Sequence, residues 1–353
     1  MDGILPRQAI KRLAQDGAII SASPIEADQL QPASLDLRLG KVAHRIRASF
    51  LPAAGENIAE KVASVTLHTI DLSAGAVLET GCVYLVPLQE SVQLPADLSA
   101  STNPKSSTGR LDVFTRVIAD GVGGFDTLPA GYGGALALEI SPRTFPVLVR
   151  EGSRLSQIRF RRGDARLSDA DLAELHRDHP IAAPDARIND GLNVTIDLSP
   201  GAGHVGYRAK RHTALIDLDR RDALAMADFW DPITASDGKV ILDPDEFYIL
   251  MSREAVSIPP MYAAEMVPFD PLVGEFRVHY AGFFDPGFGH GVPSRAVLEV
   301  RSREVPFILE HGQVVARLAY ELMAEKPETL YGAGLNSNYQ AQGLKLSKHF
   351  RAA

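Results

Sequence analysis

Apolar and polar residues alternate in short runs along most of the chain. Leu35, Leu37 and Leu39 share one face of such a run, and Asp36 and Arg38 share the other, which is the pattern of a half-buried strand. Further runs of this kind cover residues 63–69, 82–88 and 112–118, separated by Gly, Pro and Asp. Many short strands with this spacing predict an all-β sandwich or barrel.

Two helices interrupt the strand pattern. Residues 6–17 place three apolar side chains on one face between a proline and a glycine, the usual punctuation of a short amphipathic helix. Ser168, followed three residues later by an acid, predicts a capped helix start over residues 168–176. Because residues 180–189 are polar and contain prolines, we expect a linker there and a domain boundary near residue 190.

The second half of the chain repeats the first. Residues 296–320 match residues 136–160 at one constant offset. That offset pairs Glu299 with Glu139, Pro306 with Pro146 and Gly312 with Gly152. Registered matches over so long a span seldom arise by chance, so we predict two mainly β domains of similar fold. We expect a first domain at residues 1–165, a helix and linker at 166–190, a second domain at 191–325 and a C-terminal tail at 326–353.

Composition narrows the classes of protein that fit. The 353 residues are 45% hydrophobic and 23% charged, as in an ordinary globular protein. A net charge of -8 with both signs interspersed argues against nucleic acid as a partner. Cys82 is the single cysteine, which fits a reducing compartment. With no signal-like start and no long apolar run, we expect a cytoplasmic protein without a membrane span.

The segment from Lys105 to Arg110 carries the first candidate chemistry. A lysine, three hydroxyls, a glycine and an arginine lie within six residues, KSSTGR. These groups suit several phosphate oxygens, which they hold by charge-assisted hydrogen bonds. The alternative is an ordinary polar turn after Pro104. In the second half the matching residues 270–275 lack the lysine, the serines and the arginine, so we expect the second domain to be degenerate.

Glu139 carries the second candidate chemistry. It follows the apolar run 135–138, and burial there would make it a usable proton carrier near neutral pH. The alternative is a structural ion pair with Arg143 or Arg150. We favour Glu139 over Glu299 as the acid that faces the 105–110 segment, a question that the sequence leaves open.

Four motifs resemble those of the dCTP deaminases, relatives of the trimeric dUTPases. They are the sequences QPASLDLRLG at 31–40, KSSTGR at 105–110, GYGGALALE at 131–139 and YGAGLNSNYQAQG at 331–343. The resemblance covers both halves, as in a long bacterial form with a duplicated domain. It implies two tandem dUTPase-like distorted β-barrels, of the β-clip or jelly-roll kind, with a few short helices.

The resemblance also implies the reaction. These enzymes convert dCTP to dUTP and ammonia without zinc, and the dUTP supplies thymidylate synthesis. The sequence agrees, because a zinc deaminase would carry a P-C-x-x-C motif and this chain has one cysteine. The resemblance further implies that Mg²⁺ arrives on the triphosphate rather than in a protein cage. Whether dTTP inhibits is left open.

Residue roles follow from the same resemblance. The implied catalytic residues are Glu139 as general base, Ser106 to orient the attacking water, and Arg110 to hold both in register. The implied substrate-binding residues are Lys105, Ser107, Asp126, Tyr132, Tyr339, Gln342 and Lys345. Asp126 has an alternative role as a turn residue that caps its own loop.

Sites in this family form between barrels, so we expect a homo-oligomer, in the form of three two-barrel chains. Two other functions stay open. One is a dUTPase-type pyrophosphohydrolase with Asp126 as base, or an enzyme with both activities. The other is a nucleotide-binding regulator without catalysis.

Overall fold

The protein is mainly β with a few short helices. The computed structural model describes residues 1–53, 55–199, 203–268, 276–279, 282–302, 304–332 and 343–351. For residues 268 and 276–279 it describes the backbone alone. Below, the first half means residues up to 164 and the second half means residues from 165 onward.

The first half is built from short strands, with three helices between them. The strands are β1 (Gly3–Ile4), β2 (Ile19–Ser21), β3 (Leu35–Leu37), β4 (Val42–Ile46), β5 (Thr66–Asp71), β6 (Ala76–Leu78), β7 (Val83–Gln93), β8 (Leu98–Pro104), β9 (Val113–Ala119), β10 (Thr127–Leu128), β11 (Gly133–Pro142), β12 (Val147–Val149) and β13 (Ser156–Arg162). The helices are α1 (Arg7–Gln15), α2 (Ile58–Val65) and α3 (Ser106–Gly109).

The second half opens with a helix and continues as strands. The helix is α4 (Asp169–Asp178), and a 3₁₀ turn follows at Met226–Asp228. The strands are β14 (Ala182–Ala183), β15 (Leu192–Thr195), β16 (His204–Ala209), β17 (Ile216–Asp217), β18 (Trp230–Thr234), β19 (Lys239–Leu242), β20 (Phe247–Val256), β21 (Tyr262–Pro268), β22 (Phe276–His279), β23 (Phe283–Phe284), β24 (Ser294–Ser302), β25 (Phe307–Glu310) and β26 (Val314–Leu322).

Corresponding strands form corresponding sheets in the two halves. The first half has a sheet of order β5-β4-β7-β11-β9, and the second half has one of order β18-β16-β20-β24-β22. In each, the long strand that carries the repeated glutamate pairs antiparallel with its neighbour, as Glu139 with Leu85 and Glu299 with Ile249. The repeat seen in the sequence is therefore a repeat of strand pairing.

The two halves pack tightly against each other. Strand β17 of the second half pairs in parallel with β12 of the first half, joining Val147 to Ile216. The first-half core also takes in buried second-half side chains, among them Phe229, Trp230 and Phe350. Trp230 and Phe350 meet edge to face with ring centroids 5.9 Å apart. Because apolar surface is buried across the seam, the seam fixes which residues of the two halves face each other.

Several predicted elements are confirmed and two details are corrected. Helices lie within residues 6–17 and start after Ser168, which forms a capping box with Asp171. The strand predicted over 63–69 is wrong at its start, because α2 runs to Val65. Asp36 is not on a solvent face: it is 1% exposed and pairs with Lys105. Alternation alone cannot tell solvent from a buried ion pair.

Candidate active site

The 105–110 segment forms a tight turn at the end of β8. Pro104 ends the strand, and the Lys105 carbonyl then accepts hydrogen bonds from the amides of Thr108 (2.8 Å) and Gly109 (3.0 Å). This winding forms α3 and brings Arg110 to its end, where its side chain is 3% exposed. The side chains of Lys105, Ser106, Ser107 and Arg110 all line one cleft.

The cleft lies on the seam between the two halves and has a volume of about 760 Å³. Its first-half wall also includes Asp36, Arg154 and Gln157. Its second-half wall includes Asp219, Arg221, Phe283, Phe284, Asp285, Glu299 and Tyr331, with Lys348 from the C-terminal segment. Several cationic and hydroxyl side chains together with a buried acid in one cleft suit a phosphorylated ligand with a polar ring.

Glu299 is the buried acid that faces Arg110. Its Oε1 lies 3.7 Å from the Arg110 Nε, and the two side chains are 7% and 4% exposed. Burial raises the pKa of Glu299 to about 8, against a lowering effect from Arg110. A carboxyl group with such a pKa exchanges protons near neutral pH.

Glu139 lies elsewhere. Its Oε1 accepts hydrogen bonds from Nε (3.1 Å) and NH2 (2.5 Å) of Arg116. The Arg116 guanidinium in turn stacks over the ring of Phe125, 3.7 Å from its centroid. Glu139 is 1% exposed and does not line the cleft. Neither Arg143 nor Arg150, the partners considered from the sequence, makes this ion pair, and Arg150 binds Asp217 and Asp219 instead.

The expectation that Glu139 faces Ser106 is thus corrected within the chain: Glu299 occupies that place. The physical reason is the packing of the halves, which turns β24 toward α3 and leaves β11 facing Arg116. The role of Glu139 in catalysis stays a prediction.

Two other predicted binding residues lie within the first half. The Asp126 Oδ1 accepts hydrogen bonds from Thr102 Oγ1 (2.7 Å) and the Val117 amide (2.8 Å), and burial raises the pKa of Asp126 to about 6. The Tyr132 hydroxyl accepts from the Asp120 amide and donates to the Ala135 carbonyl. Neither lines the cleft. The contacts of Asp126 with β8 and β9 favour a structural role for this residue over contact with substrate.

The C-terminal segment reaches the back of the 105–110 turn. The Lys345 carbonyl accepts a hydrogen bond from Arg110 NH1 at 2.8 Å, so Lys345 contacts a site residue by its backbone. Ser347 donates to the Ser107 carbonyl at 2.8 Å. Tyr339 and Gln342, also predicted to bind substrate, lie outside the described residues.

Most polar residues that line the cleft were not predicted from the sequence, among them Asp285, Arg221 and Lys348. Burial raises the pKa of Asp285 to about 6. Burial, with Lys105 and Arg221 nearby, lowers the pKa of Lys348 to about 8. A signal for Asp285 existed, because its turn resembles the turn that contains Asp126. No pattern in the sequence marks Arg221 or Lys348.

The described part of the chain contains no cluster of three or more His, Cys, Asp or Glu side chains arranged to bind a metal. No helix in that part is long and apolar enough to cross a membrane.

Fold and cleft together define a class: a duplicated β protein whose cleft combines a turn rich in cationic and hydroxyl side chains from one half with a buried acid from the other. Family models make the class specific. The N-terminal domain model of 2'-deoxycytidine 5'-triphosphate deaminase matches residues 1–164, and the C-terminal domain model matches residues 168–350. The chain belongs to the 2'-deoxycytidine 5'-triphosphate deaminase family.

Individual relatives agree. A crystal structure of 2'-deoxycytidine 5'-triphosphate deaminase from Agrobacterium tumefaciens is 60% identical, with a TM-score of 0.90 over 93% of this chain and 99% of that one. A "dCTP deaminase, dUMP-forming" from Methanobrevibacter smithii is 33% identical over 162 residues, which is 44% of this chain and 79% of the relative. A dCTP deaminase from Haloarcula marismortui is 31% identical over 153 residues, 43% of this chain and 75% of the relative.

Proposed function

We propose that the protein hydrolyses the amino group from dCTP to give dUTP and ammonia, with Glu299 as the proton carrier. The observation that carries the assignment of Glu299 is its burial 3.7 Å from Arg110 in the cleft lined by the 105–110 turn. The names of the relatives supply the substrate.

Glu299 suits the proton transfers of this reaction. With a pKa of about 8 it holds a proton at neutral pH. It donates that proton to ring N3, which makes C4 more electrophilic, and the resulting carboxylate takes a proton from the attacking water as the C4–O bond forms. The carboxyl group passes this proton to the amino group, and the C4–N4 bond breaks to release ammonia. The C4 hydroxyl then returns its proton to the carboxylate, which leaves the C4 carbonyl of dUTP and restores protonated Glu299. The sum is dCTP plus water giving dUTP plus ammonia.

Arg110 and Ser106 support this chemistry from the opposite wall. Arg110 stabilises the carboxylate form of Glu299 while water is deprotonated, since an opposite charge nearby favours the charged acid. Ser106 is a neutral donor and acceptor that orients the water or the oxygen developing at C4.

In this proposal the cationic side chains that line the cleft bind the triphosphate. Lys105 and Ser107 contact phosphate oxygens, and Arg154, Arg221 and Lys348 line the same cleft. Bound phosphate would favour the charged form of Lys348. We propose that Mg²⁺ arrives on the triphosphate, because the described chain has no ligand cluster of its own. Bound in this way, Mg²⁺ would neutralise phosphate charge, and we propose that no zinc is needed.

A second candidate product is dUMP. The Methanobrevibacter smithii relative is named dUMP-forming, which favours testing for pyrophosphate release as well. Asp126 was considered as the base for that step, but its carboxylate already accepts hydrogen bonds from Thr102 on β8 and Val117 on β9. We therefore favour dUTP as the product.

Incubation of the purified protein with dCTP tests the proposal. Ammonia and dUTP in equal amounts are expected, without pyrophosphate. Ammonia together with dUMP and pyrophosphate would indicate both activities, and tight binding of dCTP without turnover would indicate a regulator. Adding EDTA should slow the reaction and excess Mg²⁺ restore it, while a zinc-selective chelator should have no effect. Addition of dTTP tests inhibition.

We also propose a barrel type for the two domains, an oligomeric state and a cellular location. The matching pairs β7–β11 and β20–β24 support two dUTPase-like distorted barrels. A homo-oligomer of three chains and a cytoplasmic location complete the proposal, and light scattering of the purified protein tests the former.

A further inference from the structure

Arg159 is a fully buried cation that crosses the seam. It lies on β13 of the first half and is 0% exposed. Its NH1 donates to the Ala264 carbonyl at 2.9 Å. Its NH2 lies 3.3 Å from the Phe284 carbonyl and 3.2 Å from Asp285 Oδ1. One guanidinium thus binds two backbone carbonyls and one carboxylate of the second half.

The turn that Arg159 contacts, residues 283–285, lines the cleft, whereas Arg159 itself does not. Phe283, Phe284 and Asp285 all line the cleft, and the Arg159 Cζ lies 4.1 Å from the centroid of the Phe283 ring. The planar guanidinium donates hydrogen bonds in fixed directions and also stacks on the Phe283 ring. It therefore holds both the position and the orientation of the turn. Arg159 therefore supports the turn from behind.

The charge of Asp285 depends on what surrounds it. Burial raises its pKa to about 6, and Asp36 on β3 acts in the same direction, while Arg159 opposes both. Glu321 on β26 lies 3.8 Å from Arg159 NH1. Burial raises the pKa of Glu265 on β21, and Arg159 opposes that rise. Without Arg159 the pKa of Asp285 rises further, so the carboxyl group becomes neutral at pH 7.

We propose that Arg159 is a positioning residue for the nucleotide: it holds the 283–285 turn in place and keeps Asp285 available as a charged acceptor on the cleft wall. The partner of Asp285 is a hydroxyl or amino group of the nucleotide. The inference rests on the proposed function, since it needs a nucleotide in this cleft. Arg159 does not touch the reacting atoms.

Steady-state kinetics on Arg159→Met, Arg159→Lys and the control Arg161→Met test this. Methionine fills the space without charge, and lysine keeps the charge but loses the fork. Arg161 lies on the same strand and pairs across the same seam with Glu321, but its partners do not line the cleft. KM and kcat for dCTP are measured from pH 6 to pH 9, together with the melting temperature.

For Arg159→Met we expect KM at pH 7 to rise about tenfold, because Asp285 becomes mostly neutral and the 283–285 turn loses its support, with kcat changed far less. The rise in KM should shrink toward pH 9, where Asp285 ionises again. Arg159→Lys should remove the pH dependence but keep a raised KM, and Arg161→Met should keep the wild-type KM.

A lower melting temperature with KM unchanged at every pH would overturn the proposal and leave Arg159 a purely structural residue. If Arg159→Met does not fold, Arg159→Lys decides alone: a wild-type KM overturns the proposal and a raised KM supports it. Wild-type protein that releases no ammonia from dCTP would refute the proposed function instead, so the two failures are distinguishable.

Discussion

Arg110 and Glu299 face each other across the seam between two repeats, with Nε and Oε1 3.7 Å apart. Arg110 belongs to the repeat with the KSSTGR turn, and Glu299 belongs to the repeat whose matching residues 270–275 lack the lysine, the serines and the arginine. The proposed phosphate-binding turn therefore comes from the first repeat, and the proposed catalytic acid comes from the second.

The pH dependence of turnover should report Glu299. Because the protonated acid starts the reaction, kcat/KM should fall above the pKa of about 8. Arg110 lowers that pKa, so Arg110→Met should move the decline to higher pH while reducing kcat. A pH–rate profile of both proteins measures this. If the decline for Arg110→Met occurred at the same pH as for the wild type, the titrating group would not be Glu299.

Replacing Arg301 should destabilise the protein, because this residue forms a buried ion pair across the seam between the two halves. Its NH2 pairs with Asp112 and lies 3.0 Å from Thr144 Oγ1. Arg301→Met leaves the buried carboxylate of Asp112 uncompensated, which should cost about 3–5 kcal/mol in the free energy of unfolding. Urea denaturation measures this loss, with the exposed pair of Arg177 and Glu174 as control. Arg177→Met should leave stability unchanged, and an equal loss from both would refute the account.

His349 should link stability to pH. It is 2% exposed, with Nδ1 2.9 Å from Ser347 Oγ and Nε2 3.1 Å from the Leu218 carbonyl. Burial lowers its pKa to about 4 from 6.5. Between pH 6.5 and pH 4 the unfolded chain therefore binds a proton that the folded protein does not. The contribution of His349 to the free energy of unfolding is present above this window and is lost as the pH falls through it.

The variant His349→Gln, which cannot titrate, isolates this effect. Thermal unfolding should show the stability difference between wild type and variant narrowing from pH 7 to pH 4. The exposed His212 gives the control variant His212→Gln, whose difference from wild type should not change with pH. A constant difference for His349→Gln would contradict the lowered pKa.

Much of the fold was predictable from the sequence, because its signals are local. Helix punctuation predicted α1 and α4, and the common offset of Glu139 and Glu299 predicted the duplication. The helix α2 was missed because its last residues continue the alternating pattern of β5. The 105–110 segment was identified because its chemistry is contiguous in sequence.

The choice between Glu139 and Glu299 was not predictable, since both occupy the same position of the repeat. It depends on how the halves dock and on Arg116, which lies 23 positions before Glu139 in the sequence and binds it. Arg159 was missed for a related reason. A charged residue in a strand looks solvent-exposed until the opposite half supplies carbonyl groups for it.

Ammonia release by the variants Glu299→Gln and Glu139→Gln tests the central claim most directly. The amide keeps the shape of the side chain but cannot carry the proton, so Glu299→Gln should lose about 10²- to 10⁴-fold in kcat and still bind dCTP. Glu139→Gln should keep kcat near the wild-type value, because its carboxylate is bound to Arg116 away from the cleft. An active Glu299→Gln beside an inactive Glu139→Gln would contradict the account.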